Sequence, residues 1–169
     1  AQTAYMAANP DMALVQTQER WLRNGRRVNP RRRHLKKAGD IFMESLELCL
    51  ISPSAVMLRR EIFDEVGLFD ENLPAAEDYD LWLRVLARYP AGLIDRELVV
   101  RHGGRADQLS ARHSLDRWRI AALEKLLASP LSAERRRKAE NELERRRRIY
   151  LTGLAKRRAD EERDLSCPQ

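Results

Sequence analysis

The alternation of apolar and polar residues predicts short strands and a hairpin in the first third of the chain. Residues 12–22 alternate loosely between the two kinds of side chain, which is typical of a strand. Asn24 and Gly25 follow, and this pair between two apolar stretches is a strong signal for a tight hairpin. Residues 55–58 are a short apolar run, which predicts a buried strand.

Helical spacing dominates the rest of the chain. Apolar residues recur at helical spacing over residues 77–89, and Pro90 ends that run. A shorter helix over residues 60–66 is expected to end at Gly67 as a C-cap. Residues 107–160 are helical in pattern, with one proline as an interruption. The other predicted elements are the end of a helix at 1–8, a basic loop at 29–37, a short helix at 40–50, a turn at 51–54 and strands near 93–94 and 98–100.

The net charge of +6, from 32 basic and 26 acidic residues, is unevenly distributed. Residues 134–164 hold 12 Lys or Arg against 8 Asp or Glu, so this stretch carries +4 of the total. Residues 20–37 hold nine Lys or Arg and no acid. Basic stretches of this kind suit phosphates, anionic lipid headgroups or nucleic acid, and they also occur as solvated faces. Charge alone leaves these explanations open.

The bulk composition narrows the class of protein. A length of 169 residues suits one domain, and 43% hydrophobic with 34% charged residues is typical of an ordered, charge-rich chain. The sequence contains no run of about 18 apolar residues, so it predicts no membrane span. The start resembles no signal peptide and lacks a methionine, so we expect residue 1 to be a boundary within a longer sequence. Cys49 and Cys167 have no metal-ligating neighbours, so we expect reduced thiols.

The most informative stretch is Glu77-Asp78-Tyr79-Asp80, which places three carboxylates within four residues at a predicted helix start. Acids at that position accept free backbone N–H groups and meet the positive end of the helix dipole, which is a structural explanation. A carboxylate at the mouth of a pocket can also take a proton from a substrate hydroxyl as a general base. The residue types by themselves favour neither explanation decisively.

Three segments in order resemble the acceptor region of family 2 glycosyltransferases. They are ISPSAVMLRR at residues 51–60, FDEVGLFDE at 63–71 and EDYDLWLR at 77–84. None is specific by itself, but their order and spacing are highly specific, and a looser similarity extends from residue 9 to residue 112. The resemblance implies an α/β chain with a partial GT-A (nucleotide-diphospho-sugar transferase) fold and a helical C-terminal extension.

The resemblance also implies roles on the acceptor side. Asp78 would be the catalytic base that deprotonates the acceptor hydroxyl for inverting attack on the anomeric carbon. Glu77 would hold acceptor hydroxyls or orient Asp78. Gln108 and Ser110 would contact the acceptor or cap the next helix.

On the donor side, the resemblance implies a group of residues near the glycine pair Gly103-Gly104. His102 would touch the metal or the diphosphate of a nucleotide sugar. Arg101 and Arg105 would neutralise the diphosphate as it leaves. His102 is also open to a simpler explanation as an exposed loop histidine.

Three further residues of the acidic segment have more local expectations. Asp80 is expected to cap the helix or to pair nearby. Arg84 is expected either to pair with a carboxylate of this cluster or to lie in solvent. Trp82 is expected in the core, because its spacing matches the apolar face of the helix.

The chain also departs from the family pattern. Such transferases hold a divalent cation, magnesium or manganese, with an Asp-x-Asp or Asp-Asp motif, and carboxylate oxygens suit these hard ions. No such motif precedes the acceptor region, and the spacing occurs only at Asp78 and Asp80. We therefore expect that the nucleotide site lies outside this chain and that the isolated chain does not transfer sugar at a useful rate. We also expect an exposed sheet edge where further strands would pair.

These observations combine into one assignment with two alternatives. Residues 1–105 are assigned to the acceptor-side part of a glycosyltransferase domain, and residues 106–169 to a basic helical extension. The expected partners are a nucleotide sugar, a glycan or lipid-linked acceptor and an anionic membrane surface, in a bacterial cytoplasm at the inner membrane. A nucleic-acid-binding module is disfavoured because no recognised motif is present. A helical assembly segment is the other alternative, although the interrupted apolar stripe argues against a long coiled coil.

Overall fold

The computed structural model describes residues 1–103 and 115–166. A four-stranded mixed sheet packs with helices, which confirms the predicted α/β class. Short 3-10 turns lie at Arg32–His34 and Pro53–Ala55. The helices and strands in chain order are α1 (Gln2–Ala8), β1 (Leu14–Arg23), β2 (Arg26–Val28), α2 (Phe42–Glu47), β3 (Val56–Leu58), α3 (Ile62–Val66), α4 (Glu77–Leu86), β4 (Ala91–Gly103), α5 (Leu115–Leu127) and α6 (Ala133–Ser166).

Strand β1 is the centre of the sheet and pairs with the other three strands. Its start is antiparallel to β3, with Leu14 opposite Leu58, and its end is antiparallel to β2, with Trp21 opposite Val28. It also lies parallel to β4 along its whole length, beginning with Leu14 opposite Ala91. Because the first residues of β1 are buried and its last residues are not, the strand is anchored at its start and presents side chains at its end.

Two glycine-dependent turns confirm the sequence predictions. Asn24 and Gly25 both have a positive φ, of 50° and 75°, and join β1 to β2 in a tight hairpin. This is the backbone geometry that favours an Asn-Gly pair between antiparallel strands. Gly67 follows α3 with a φ of 77°, and its N–H donates to the carbonyl of Phe63 as a C-cap.

Strand β4 differs from the prediction of two short strands near residues 93–94 and 98–100. It is one continuous strand of 13 residues. The polar stretch in its middle does not break it, because cross-strand partners hold that stretch in the exposed part of the sheet. Glu97 accepts a hydrogen bond from Arg20 on β1 at 2.9 Å and another from Arg27 on β2 at 2.7 Å.

The prediction of a buried strand at residues 55–58 is only partly correct. The strand is present, but Met57 is 36% exposed and its two neighbours are only half-buried. The reason is the position of β3, which pairs with β1 on one side and with no other strand of the described residues. The apolar run therefore marks a sheet edge and not a sheet interior.

One apolar core connects the sheet to the helices. Leu14 of β1 and Phe42 of α2 are fully buried in it, together with most of the inward face of α4. Leu123 of α5 and Leu143 of α6 belong to the same cluster, so the C-terminal helices cover this core. The division at residue 105 stays a prediction. Of the helices in the described ranges, none has the length and apolar character that crossing a membrane requires.

The open edge of β3 predicts concentration-dependent association. Unpaired N–H and C=O groups at such an edge are a template for pairing with another chain. We expect light scattering to give a mass near 19.7 kDa for the chain at low concentration and a larger mass at high concentration. Met57→Lys, which places a charge on the edge, should reduce this association. A mass that stays constant at every concentration would contradict the prediction.

Candidate functional site

A cavity of about 1040 Å³ lies among the β1–β2 hairpin, the segment before β3 and the first turn of α4. The hairpin contributes Trp21, the segment before β3 contributes Ser52, and α4 contributes its first residues. The end of β4 and the start of α5 also contribute lining residues. Among the described residues, the ionisable side chains that line the cavity are Arg23, Arg31, His34, Cys49, Glu77, Asp78, Tyr79, Arg101 and Arg119.

Asp78 lies in the first turn of α4 and lines this cavity with a half-buried side chain. Its Oδ1 accepts a hydrogen bond from the backbone N–H of Tyr79 at 2.7 Å, which fixes the carboxylate at the helix entrance. The positive end of the helix dipole lies beside it and suits a negative charge. A carboxylate in this position can accept a proton from a hydroxyl that binds in the cavity.

The backbone immediately before α4 is strained. Ala76 has a φ of 62° in the left-handed region, which alanine adopts at a cost of about 1 kcal/mol. This conformation turns the chain sharply at the cavity wall, so that Glu77 and Asp78 both line the cavity. Strain of this kind is often found where side chains are held for function.

Cys49 is a neighbour of Asp78 that the sequence does not reveal. Its Sγ lies 3.7 Å from Asp78 Oδ2 and 3.4 Å from the carbonyl oxygen of Ile51, so its one S–H can donate to either acceptor. Burial, and then the adjacent Asp78, raise the pKa of the Cys49 thiol above its usual range. The thiol therefore stays protonated and can donate a weak hydrogen bond to the carboxylate.

Glu77 and Tyr79 lie on either side of Asp78 and have different roles. Glu77 lines the cavity and is half-buried, so it is placed to contact a bound molecule. Tyr79 is buried, and its hydroxyl donates to the carbonyl of Leu46 at 2.5 Å. Burial raises the pKa of Tyr79. Tyr79 thus ties the start of α4 to α2, which holds the acidic turn against the core.

Trp21 and Arg101 form the wall of the cavity at the ends of β1 and β4. The guanidinium of Arg101 lies 4.9 Å from the centre of the Trp21 ring, a cation–π contact. The indole N–H of Trp21 donates to Glu19 Oε2 at 3.2 Å, and Arg101 approaches the same oxygen at 3.7 Å. The ring of His34 lies 5.6 Å from that of Trp21. A flat aromatic surface with adjoining cations thus faces the cavity.

A buried lysine supports the wall from behind. Lys36 Nζ donates to the carbonyl of Leu50 at 2.5 Å and to Ser52 Oγ at 2.8 Å, and it lies 3.9 Å from Glu19. Its side chain is 5% exposed, and this burial lowers the pKa of Lys36. Because Ser52 lines the cavity, Lys36 fixes the position of that wall. The sequence indicated only a basic loop at this position.

The other predicted site residues are distributed unevenly. Arg101 lines the cavity, whereas His102 is exposed on β4 and is not among the lining residues. Neighbouring residues on a strand point to opposite faces, which separates these two side chains. The roles predicted for His102 stay predictions. Arg105, Gln108 and Ser110 lie outside the described residues.

The described residues do not by themselves fit a divalent cation. In these ranges no group of three or more His, Cys, Asp or Glu side chains could hold a metal ion. Glu77 and Asp78 are the acids of the described residues that line the cavity, and the binding of magnesium or manganese stays a prediction.

Asp80 and Arg84 form an ion pair within α4, which is one of the two alternatives that the sequence left for each residue. Arg84 Nη2 lies 2.7 Å from Asp80 Oδ2, and Lys125 of α5 lies 3.2 Å from the same oxygen. Arg84 also donates to the carbonyl of Leu68 at 2.8 Å. Trp82 is 3% exposed, which confirms its place in the core. These contacts lock α4 between α3 and α5.

The mixed sheet, the helices that pack with it and the cavity beside the first turn of α4 are consistent with a partial GT-A fold. The model of the family described as "Glycosyltransferase like family 2" matches residues 4–118. The chain belongs to this family.

Similar proteins include several that are named as glycosyltransferases. An uncharacterized glycosyltransferase of Rickettsia typhi is 34% identical over 74 residues, which are 44% of this chain and 23% of that protein. A counterpart in Rickettsia prowazekii is 32% identical over the same length, with the same shares. An uncharacterized protein of Mycobacterium tuberculosis is 35% identical over 85 residues, 47% of this chain and 26% of that protein. The matched part thus spans about a quarter of the length of these relatives.

Proposed function

We propose that this chain is the acceptor-side part of an inverting glycosyltransferase and that Asp78 is its general base. The donor is a nucleotide sugar, and the acceptor is a hydroxyl of a glycan or of a lipid-linked sugar in polysaccharide synthesis. The observation that carries the proposal is the position of Asp78, which is half-buried at the helix entrance and open to the cavity. Membership of the glycosyltransferase-like family supports the reaction class.

The proposed reaction transfers one proton and exchanges one bond. Asp78 takes the proton of the acceptor hydroxyl while the oxygen of that hydroxyl attacks the anomeric carbon of the donor. The bond between that carbon and the phosphate oxygen breaks, and the nucleoside diphosphate leaves with the electron pair. Attack from the side opposite the leaving group inverts the anomeric configuration.

The surrounding residues supply binding and orientation. Glu77 accepts hydrogen bonds from acceptor hydroxyls, and Cys49 and the backbone N–H of Tyr79 hold the Asp78 carboxylate in place. Arg101 faces the charge that develops on the diphosphate. We assign Arg105 and His102 to the donor as well.

Other parts of the proposal concern the full-length protein. Gln108 and Ser110 are assigned to the acceptor, and magnesium or manganese to the donor diphosphate, with ligands that the described residues do not provide. Contact of the basic helices with an anionic membrane surface stays a prediction.

Turnover measurements test the proposal. The full-length protein should consume a nucleotide sugar when manganese and an acceptor are present, and the products should carry an inverted linkage. The 169-residue chain alone should show no turnover with or without manganese, because no Asp-x-Asp or Asp-Asp motif precedes its acceptor region. Robust turnover by the isolated chain would refute the view that it is incomplete. A full-length protein that accepts no nucleotide sugar from a broad panel would refute the function.

A further inference from the structure

Most of the charge that lines the cavity is positive. The charged lining residues in the described ranges are the four arginines Arg23, Arg31, Arg101 and Arg119 and the two acids Glu77 and Asp78. The proposed reaction uses Asp78 for the proton and Glu77 for neutral hydroxyls. It gives no partner to most of the arginines.

Two of these cations have no counter-charge among the described residues. Arg23 and Arg31 are exposed and make no ion pair with any residue in the described ranges. Arg101 is 48% exposed and approaches one carboxylate, that of Glu19, at 3.7 Å. Cations that are held at a cavity wall without a counter-charge are available to an anionic ligand.

Several of these cations lie near His34, which also lines the cavity. Burial lowers the pKa of His34, and the nearby charges of Arg33, Arg101 and Arg31 lower it further. The ring of His34 contacts that of Trp21, on which Arg101 also lies. The basic segment at residues 20–37, which the sequence left without a role, therefore contributes to the same cavity as the proposed base.

We infer that the acceptor carries a phosphate group, which Arg31 binds beside His34 while the hydroxyl to be glycosylated faces Asp78 and Arg101 stays with the donor diphosphate. The inference rests on the proposed function, because it names the class of acceptor for the same cavity. Arginine suits this task, since its planar group donates two parallel hydrogen bonds to phosphate oxygens. The diphosphate of the donor has the same chemistry, so an experiment must separate the two sources.

The indole N–H signal of Trp21 in the 15N-labelled chain provides a probe on this wall. We expect glucose 1-phosphate to shift this signal and to bind about tenfold or more tightly than glucose, with added salt weakening the binding. Arg31→Ala should lower the affinity for glucose 1-phosphate by about tenfold and leave the affinity for glucose unchanged. Arg32→Ala removes the same charge from the next residue, which is exposed and does not line the cavity, and should change neither affinity.

Three results would overturn the inference. The first is that glucose 1-phosphate leaves the Trp21 signal unmoved, and the second is that it binds no more tightly than glucose. Either would remove the phosphate-bearing acceptor and leave the turnover test of the proposed function untouched. The third is that uridine diphosphate displaces glucose 1-phosphate and that Arg31→Ala lowers the affinity for both ligands by the same factor. Arg31 would then bind the donor and not the acceptor.

Discussion

Asp78→Asn in the full-length protein is expected to lower kcat for sugar transfer by about a hundredfold to ten-thousandfold, the range over which a positioned general base acts. The amide has almost the same shape as the carboxylate and keeps an oxygen that can accept from the backbone N–H of Tyr79. It cannot take a proton from a hydroxyl. Substrate binding should change less than kcat, because the lost interaction is made mainly in the transition state. Steady-state kinetics with a nucleotide sugar as donor measure both quantities.

The control for this variant is Asp64→Asn. Asp64 is an exposed acid in α3 that does not line the cavity, so its change to asparagine should leave kcat unaltered. Circular dichroism and thermal unfolding should show that both variants are folded like the unsubstituted protein. Normal transfer by a folded Asp78→Asn variant would remove Asp78 from its role as base.

Much of the fold is predictable from the sequence where the signal is local. The Asn24-Gly25 pair predicts a hairpin because its residues tolerate the positive φ that a two-residue turn needs. Gly67 predicts the end of α3 for the same kind of reason. The apolar face of residues 77–89 predicts α4, because its spacing repeats over several turns.

The differences arise where distant residues determine the outcome. The polar residues in the middle of β4 predict a break in the strand. Arg20 and Arg27 from two other strands nevertheless stabilise Glu97 within a continuous strand. The apolar residues around Met57 read as buried, yet their strand lies at a sheet edge. Neither outcome is contained in the segment itself, because pairing partners that are far apart in sequence decide it.

The same distinction applies to the candidate site. Asp78 could be selected from the sequence because the acidic cluster and its flanking segments are contiguous. Cys49 could not be selected, since 29 residues separate it from Asp78 and the fold alone brings its sulfur to 3.7 Å. The basic residues Arg31 and Lys36 appeared as one charged loop, whereas the structure places one at the cavity and buries the other behind its wall. Burial is a property of the folded neighbours and not of the residue type.

Asp80→Ala is expected to lower the free energy of unfolding by about 3 kcal/mol, the lower end of the range for a broken buried ion pair. The Asp80 side chain is 1% exposed and compensates Arg84, which is 13% exposed. The estimate stays at the lower end because Arg84 keeps its hydrogen bond to the carbonyl of Leu68, and because Lys125 is 42% exposed and water screens it. Chemical denaturation followed by circular dichroism measures this change.

A comparison with exposed and isosteric changes separates the ion pair from general effects of substitution. Asp64→Ala, on the surface of α3, should change the free energy of unfolding by no more than about 0.5 kcal/mol. Asp80→Asn keeps the shape and removes the charge, so most of the loss in Asp80→Ala should recur in it if the charge is what matters. Asp80 does not line the cavity, so any residual folded fraction of these variants should retain the chemistry that Asp78 performs. A loss below about 1 kcal/mol in Asp80→Ala would mean that the carbonyl contacts of Arg84, and not its pairing with Asp80, hold α4 beside α3.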